Sequence, residues 1–152
     1  AGHETKVQDI GNERLNYPDF HIEADNRLTW HLGQLDKKYS DNAVYVHLTR
    51  DKIKVVNSLS KRFNGQVGIM NAFCSGIKQK PYHRITKEEK LSFCLDYVNV
   101  VTDNIELFLS GKSKVFKIDI DNPKEDFKRL WSFIGAEGDQ EATLNEFDRK
   151  YN

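Results

Sequence analysis

The sequence lacks a glycine-rich phosphate-binding turn. Its nine glycines include no Gly-x-x-x-x-Gly-Lys-Ser/Thr pattern and no Gly-Thr dipeptide. It also lacks any apolar run close to the roughly 20 residues that cross a bilayer. We expect no secretory signal peptide at its start, which reads Ala-Gly-His-Glu-Thr-Lys. The lack of a long apolar run and of a signal peptide predicts a cytoplasmic protein that does not enter a membrane.

Cysteine is scarce, and its positions do not indicate a metal site. The two cysteines, Cys74 and Cys94, stand in apolar stretches with a helical pattern and without the close spacing of zinc ligands. We expect buried free thiols in a reducing compartment, with a disulfide as the alternative. The five histidines show no paired spacing either, so no metal is predicted.

The chain has no excess of charge of either sign, since it contains 23 Lys and Arg against 23 Asp and Glu. This balance argues against capture of nucleic acid or of an anionic membrane by bulk charge, although it permits a local basic pocket. With 152 residues, of which 38% are hydrophobic and 30% charged, we expect one globular domain spanning residues 1–152.

The clearest pattern is a strand that leads directly into a helix. Residues Ala43 to Thr49 are short, apolar and rich in β-formers, which predicts a buried strand. Helical spacing follows at Ile53, Val56, Leu59, Ser60 and Phe63. Arg50 stands at the join, where ligands gather in α/β proteins, and Ser58 lies about two turns along the helix. An arginine fork and a hydroxyl together suit a phosphate; the alternative is a surface salt bridge and a packed serine.

Further elements alternate between strands and helices, which predicts an α/β fold with parallel pairing. The predicted elements are a strand over Phe20–Ala24, a helix from Asp25 or Asn26 through Tyr39, a short helix from Gly68 to about Ile77, a long helix opened by a Thr86–Glu89 capping box, a strand over Lys114–Ile120, a helix from Pro123 to about Ile134 and a last helix from about Gln140 to Lys150. In the long helix we expect an inward face formed by Leu91, Leu95, Val98, Val101, Ile105 and Leu109.

Two segments resemble the sulfotransferase family. The first, Tyr45-Val46-His47-Leu48-Thr49-Arg50 followed by Ser58 and Lys61-Arg62-Phe63, is similar to the family's segment that grips the 3′-phosphate of 3′-phosphoadenosine 5′-phosphosulfate (PAPS). The second comprises Lys114 to Asp121, Asn122 to Phe127 and Leu130 to Gly135, and it resembles the family's late strand, loop and helix ending in a Phe-Leu-Gly-like box. Together they cover about half of the chain.

The resemblance implies a three-layer α/β sheet with helices on both faces, of the sulfotransferase and P-loop nucleotide hydrolase-like type, incomplete at the N-terminus. It implies that Arg50 and Ser58 hold PAPS or its product, 3′-phosphoadenosine 5′-phosphate (PAP). The activity would be transfer of a sulfuryl group to a hydroxyl or amine acceptor without a metal. The alternative is a non-catalytic nucleotide-binding or partner-binding α/β domain derived from that fold.

The family's first strand and phosphate-binding loop have no counterpart in the sequence. Gly2-His3-Glu4 is similar to the stretch that follows the P-loop helix in bacterial members. We expect a fragment, a permuted or partner-completed form, or a degenerate relative, with a strand-shaped apolar gap in its sheet. The chain alone should not transfer sulfate efficiently, and whether it forms a homo-oligomer is open.

The general base has several candidates. The family places a His or Glu near the carboxyl end of a strand upstream of the arginine, where this sequence has His21, Glu23 and Asp25. His3 and Glu4 are further candidates. The alternative for each is a solvated or capping role, and Asp25 in particular is a good N-cap. His47 is expected to be a hydrogen-bonded core residue and His31 to lie on a helix face.

A basic loop is the remaining candidate element. It contains Lys78, Lys80, His83 and Arg84, and it could close over an anionic cofactor in place of the family's later Arg-Lys-Gly element. The alternative is an ordinary solvated loop. Tyr82 could stack on an adenine, although nothing in the sequence singles it out.

Overall fold

The computed structural model of the chain describes residues 15–63 and 68–149. Within these ranges the chain is mixed α/β, as predicted. It has two strands, β1 (Tyr45–Thr49) and β2 (Val115–Asp119). The helices are α1 (Leu32–Tyr39), α2 (Lys52–Lys61), α3 (Ile69–Ala72), α4 (Lys87–Leu109), α5 (Pro123–Phe133) and α6 (Gln140–Glu146), with 3₁₀ turns at Asn26–Trp30 and Tyr82–Arg84 and a π-helical turn at Phe73–Ile77. The candidates His3 and Glu4 lie outside the described residues.

The two strands form a parallel pair, which confirms the predicted pairing. Tyr45 lies opposite Val115 and Thr49 opposite Asp119. The described part of the chain contains this two-stranded sheet and no further strand. The carboxyl ends of both strands therefore meet at one edge of a small sheet. The three-layer sheet implied by the resemblance stays a prediction.

The join between β1 and α2 is as short as the sequence predicts. Asp51 caps the helix, since its side chain accepts a hydrogen bond of 2.9 Å from the backbone N–H of Lys54. Val56 is buried, at 5% exposure, and anchors α2 on the core. Arg50 is thereby fixed between the end of a strand and the cap of a helix.

Helices contact both faces of the strand pair. The ring of Tyr45 meets Phe108 of α4 edge-to-face with centroids 5.0 Å apart, and the ring of Phe116 lies 4.7 Å from that of Phe133 of α5. Val46 is the register partner of Phe116, so Phe116 lies on the face opposite to Tyr45 because side chains alternate along a strand. Helix α4 therefore packs on one face and α5 on the other.

The main core lies between α2, the α3–π segment and α4. Its buried members are Val56, Phe63, Met70, Phe73, Cys74, Ile85, Cys94 and Tyr97. Cys74 and Cys94 are free thiols with no exposed surface, as predicted. Burial raises the pKa of Cys94 to about 11, so this thiol stays protonated near neutral pH.

Helix α4 begins with the predicted capping box, but its buried face is shifted. The Thr86 hydroxyl accepts from Glu89 N–H, and the Glu89 carboxylate accepts from Thr86 N–H at 2.9 Å. Leu91 and Leu95, predicted to face inward, are 49% and 38% exposed. Tyr97 is buried instead, because its ring packs edge-to-face against Phe73 of the π-helical turn. This aromatic packing, which leucine spacing does not reveal, sets the rotation of the helix.

The predicted strand over Phe20–Ala24 is wrong. These residues form no strand, and Phe20 has a φ of 59° with its side chain fully exposed. The period-two pattern is real but inverted: the side chains of His21 and Glu23 are inside, at 12% and 7% exposure, while Ile22 is 58% exposed. Alternation alone does not distinguish a strand from a loop that buries polar side chains.

The predicted helix from Asp25 or Asn26 to Tyr39 is present but interrupted. The 3₁₀ turn Asn26–Trp30 and helix α1 are separated by His31, which is the N-terminal cap of α1 and not a residue on its face. None of the described helices is long and apolar enough to cross a bilayer.

Candidate functional site

The carboxyl edge of the sheet brings together a cluster that we call the edge triad: Arg50, Lys54 and Asp121. The guanidinium Nε of Arg50 donates to Asp121 Oδ1 at 3.2 Å, and Lys54 Nζ donates to Asp121 Oδ2 at 3.0 Å. The hydrogen bond from Lys54, together with the positive charges of Lys54 and Arg50, lowers the pKa of Asp121. The triad is thus two cations converging on one ionised carboxylate.

The topology explains the triad. Arg50 directly follows β1 and Asp121 follows β2, so parallel pairing brings both to the same edge. Lys54 lies in the first turn of α2, on the side that faces the loop after β2. The backbone N–H of Asp121 donates to Asp119 Oδ1 at 3.0 Å, which fixes the loop that carries the carboxylate.

Ser58 is on α2, as predicted, but its described partner is not Arg50. Its hydroxyl oxygen accepts a hydrogen bond from Arg62 Nη2 at 3.2 Å. The rise of about 1.5 Å per helical residue puts Ser58 roughly 10 Å along the axis from the Asp51 cap. Arg50 and Ser58 therefore mark two ends of one surface and do not form a contact pair.

The basic loop is divided between two positions along α4. Lys78 Nζ lies 2.7 Å from Asp96 Oδ2, one helical turn from Asn99, which accepts a hydrogen bond from Lys52 at 3.0 Å. Lys78 therefore lies about one turn of α4 away from the residue that binds Lys52 at the start of α2.

Lys80 lies near the N-terminal end of α4. Its ammonium is 2.5 Å from Glu89 Oε1 in the first turn of α4 and 5.7 Å from the centroid of Phe93. Arg84 and His83 are exposed on the 3₁₀ turn. The structure thus ties the two lysines to carboxylates of α4 and leaves Arg84 at the surface.

Two candidate bases form a largely shielded pair. The imidazole Nε2 of His21 and the carboxylate Oε2 of Glu23 are 3.0 Å apart, at 12% and 7% side-chain exposure. The ring of Tyr17 stacks on His21 with centroids 5.1 Å apart and planes 4° from parallel. Burial, followed by the charge of Glu23, raises the pKa of Tyr17 to about 12. An imidazole held by a carboxylate is the arrangement that makes histidine an oriented base.

The third candidate, Asp25, has a structural role. Its side chain accepts from the backbone N–H of Arg27 at 2.9 Å, which caps the 3₁₀ turn. Both of its carboxylate oxygens also accept from the Arg27 guanidinium, the shortest contact being 2.7 Å. Asp25 is therefore an N-terminal cap, which is the alternative role that the sequence allowed for it.

The histidine of β1 differs from the expectation. His47 was expected to be hydrogen-bonded, but its Nδ1 is buried with no hydrogen-bond partner. It lies opposite Lys117 of β2 and under Glu106 of α4. Burial, and then the charge of Lys117, lowers the pKa of His47. Among the described residues no group of three or more His, Cys, Asp and Glu side chains could hold a metal ion.

Sequence reasoning missed three residues: Lys54, Asp121 and Tyr17. A signal existed for Asp121, since it follows a predicted strand parallel to the one that ends at Arg50. No comparable signal marked Tyr17, whose stacking on His21 depends on the loop conformation.

Comparison of the chain with protein-family models, curated proteins and solved structures finds no match. An open groove of about 580 Å³ lies beside α5 and is lined by Phe116, Glu125, Lys128, Arg129, Ser132 and Phe133. None of the predicted site residues lines it. The functional assignment therefore depends on the edge triad, on the His21–Glu23 pair and on the resemblance of the two segments.

Proposed function

We propose that the chain is the 3′-phosphate-binding part of a sulfotransferase-type domain. It binds PAPS or PAP, and it supports sulfuryl transfer to a hydroxyl or amine acceptor once a phosphate-binding loop is supplied. The observation that carries this proposal is the edge triad, in which Arg50 and Lys54 converge on Asp121. A phosphate presents the same charged acceptor oxygens as a carboxylate, so the two cations fit it.

The 3′-phosphate takes the place of the Asp121 carboxylate in this proposal. The Arg50 guanidinium, which now donates to Asp121 through Nε, then presents its planar set of N–H donors to the phosphate oxygens. The Ser58 hydroxyl oxygen accepts a hydrogen bond from Arg62. Its own proton is a neutral donor for the phosphate. Lys78, which is paired with Asp96 on α4, is a further candidate cation.

The fold proposal is a three-layer sheet. Its support is the packing of α4 against the Tyr45 face and of α5 against the Phe116 face. In this proposal the edge triad serves the 3′ end of the nucleotide, while the described residues include no glycine-rich turn for its 5′ end. Transfer therefore depends on a loop that the described residues do not supply.

His21 is the proposed base, and Glu23 is the residue that positions it. PAPS, when bound, supplies the sulfuryl group. His21 accepts the proton of the acceptor hydroxyl as the acceptor oxygen bonds to sulfur and the bond from sulfur to the 5′-phosphate oxygen breaks. Glu23 stabilises the resulting imidazolium at a hydrogen-bond distance of 3.0 Å.

A non-catalytic domain is the second candidate, and one observation favours it. The described contacts of the His21–Glu23 pair include the stacking of Tyr17 on His21, and Tyr17 in turn stacks on Tyr39 of α1. Arg50, by contrast, contacts the loop after β2. If the two sites do not act on one nucleotide, the chain binds PAP without transferring sulfate.

The test is equilibrium binding of PAP compared with adenosine 5′-monophosphate, which lacks the 3′-phosphate. The proposal predicts tighter binding of PAP, and a loss of that preference in Ser58→Ala. Lys128→Ala is a matched control, because Lys128 pairs with Glu125 on α5, away from the edge triad. Equal affinity for the two nucleotides contradicts the proposal.

A further inference from the structure

The second edge of β1 is open in the described part of the chain. The backbone bonds from Tyr45 N to Lys114 O and from Ile120 N to Thr49 O are both 2.9 Å. Because hydrogen-bonding direction alternates along a strand, the N–H and C=O groups of Val46 and Leu48 point away from β2. The exposed edge can therefore receive another strand.

The side chains beside this edge are apolar and exposed. Val44, Val46 and Leu48 are 37%, 41% and 61% exposed and lie on one face. Natural edge strands are usually protected by lysine, proline or a bulge, and β1 has no lysine or proline from Val44 to Thr49. A two-stranded sheet is also marginal by itself. The unprotected apolar edge and the small size of the sheet both favour pairing of β1 with a further strand.

The sequence of β1 is complementary to itself in one antiparallel register. A two-fold axis at Val46 puts Val46 opposite its own copy and Val44 opposite Leu48. Each of these pairs exchanges two backbone hydrogen bonds, about six in all. Every exposed apolar side chain of the strand then meets an apolar side chain of the other copy.

We propose that the chain forms a two-fold dimer in which β1 pairs with β1 of a second copy, giving a continuous sheet of four strands, two from each copy. Electrostatics permit this, because the formal net charge is zero and no charged side chain lies on the open face of β1. The α5 groove flanks the same face, since its residue Phe116 is the register partner of Val46, and it extends the interface beyond the strands. None of the three residues of the edge triad is needed for this pairing.

The test is the molar mass in solution, measured by light scattering over a wide range of concentration. We expect twice the mass of one chain for the wild type and the mass of one chain for Leu48→Lys. Leu107→Lys is the matched control: Leu107 is 76% exposed on α4, which packs on the opposite face of the strand pair from Leu48, and its variant should remain dimeric. A monomeric wild type, or a dimer that persists in Leu48→Lys, overturns the proposal.

Amide hydrogen exchange gives a second measurement that does not depend on a substitution. In the dimer, the N–H groups of Val46 and Leu48 are hydrogen-bonded, so their exchange should slow as concentration rises. The exchange of Tyr45, already bonded to Lys114, should change much less. Protection of Val46 and Leu48 that is independent of concentration overturns the dimer and indicates that a segment of the same chain covers the edge.

Discussion

Arg50 and Asp121 are 71 residues apart in the sequence, yet the guanidinium Nε of one lies 3.2 Å from Oδ1 of the other. The contact forms because the parallel strands that precede the two residues end at the same edge of the sheet. Lys54 binds the second carboxylate oxygen. The chain therefore carries an internal anion at the position where we propose that a phosphate binds.

Asp121→Asn should strengthen PAP binding. The substitution removes the negative charge that competes for Arg50 and Lys54, and we expect the dissociation constant to fall by about 3- to 10-fold. Calorimetry with both proteins measures this change. Asp148→Asn is the control, since Asp148 pairs with Lys124 outside the triad. Weaker binding in Asp121→Asn would show that the carboxylate orients Arg50 instead of competing with the ligand.

Tyr17 and Tyr39 should respond oppositely to loss of the hydroxyl. Tyr39 donates to Leu15 O at 2.5 Å and accepts from Tyr17 N at 3.1 Å, so Tyr39→Phe should lower the free energy of unfolding by about 1 kcal/mol. The Tyr17 hydroxyl is buried without a hydrogen-bond partner, so Tyr17→Phe should be neutral or stabilising. Urea unfolding of both variants checks this. Equal destabilisation would contradict the description of this loop.

His47 should make the protein less stable in acid. Its folded pKa is lowered from 6.5, so the unfolded chain binds the proton first. The stability contributed by neutral His47 is present above pH 6.5 and decreases as pH falls towards the folded pKa. The positive charge of Lys117 lowers the pKa of His47, and the negative charge of Glu106 partly offsets that effect.

Urea unfolding across this pH range, for wild type and His47→Gln, measures the effect. The variant should lose part of the acid dependence. His83→Gln, which changes an exposed histidine of the 3₁₀ turn, should retain it. An identical pH dependence in wild type and His47→Gln would exclude His47 as the cause.

The capping box of α4 should contribute measurably to stability. Thr86→Ala removes the acceptor for the Glu89 N–H, and we expect a loss of about 1 kcal/mol. Ser92→Ala, at an exposed position inside the same helix, should not destabilise the protein because alanine is the better helix former. Thermal unfolding of the two variants compares them directly. A Thr86→Ala protein as stable as the wild type would show that packing alone fixes the start of α4.

Much of the fold could be predicted because its signals are local. The β1–α2 join has a β-rich run, an Asp51 cap and helical apolar spacing, and the Thr86–Glu89 box marks the start of α4. Leu91 and Leu95 were misassigned because the rotation of α4 depends on an aromatic contact from a distant segment, Phe73 on Tyr97. Local spacing carries no information about such a contact.

The candidate site was predictable only in part. Arg50 could be placed because it ends a strand, but its partner Asp121 depends on parallel pairing across many residues. His21 and Glu23 were selected from a strand that does not exist, and their pairing depends on a loop that buries polar side chains. Single-residue chemistry was therefore visible in the sequence, whereas the way in which the residues combine was not.

The most direct test of the central claim is a thermal shift with PAP. At about 100 times its dissociation constant, PAP should add roughly 2.7 kcal/mol to the free energy of unfolding, which raises the melting temperature by roughly 5 to 10 °C for a domain of this size. Arg50→Ala should lose most of this shift, because it removes the principal cation of the edge triad. No shift for the wild type, or an equal shift for Arg50→Ala, would contradict the assignment of Arg50 as the phosphate-binding residue.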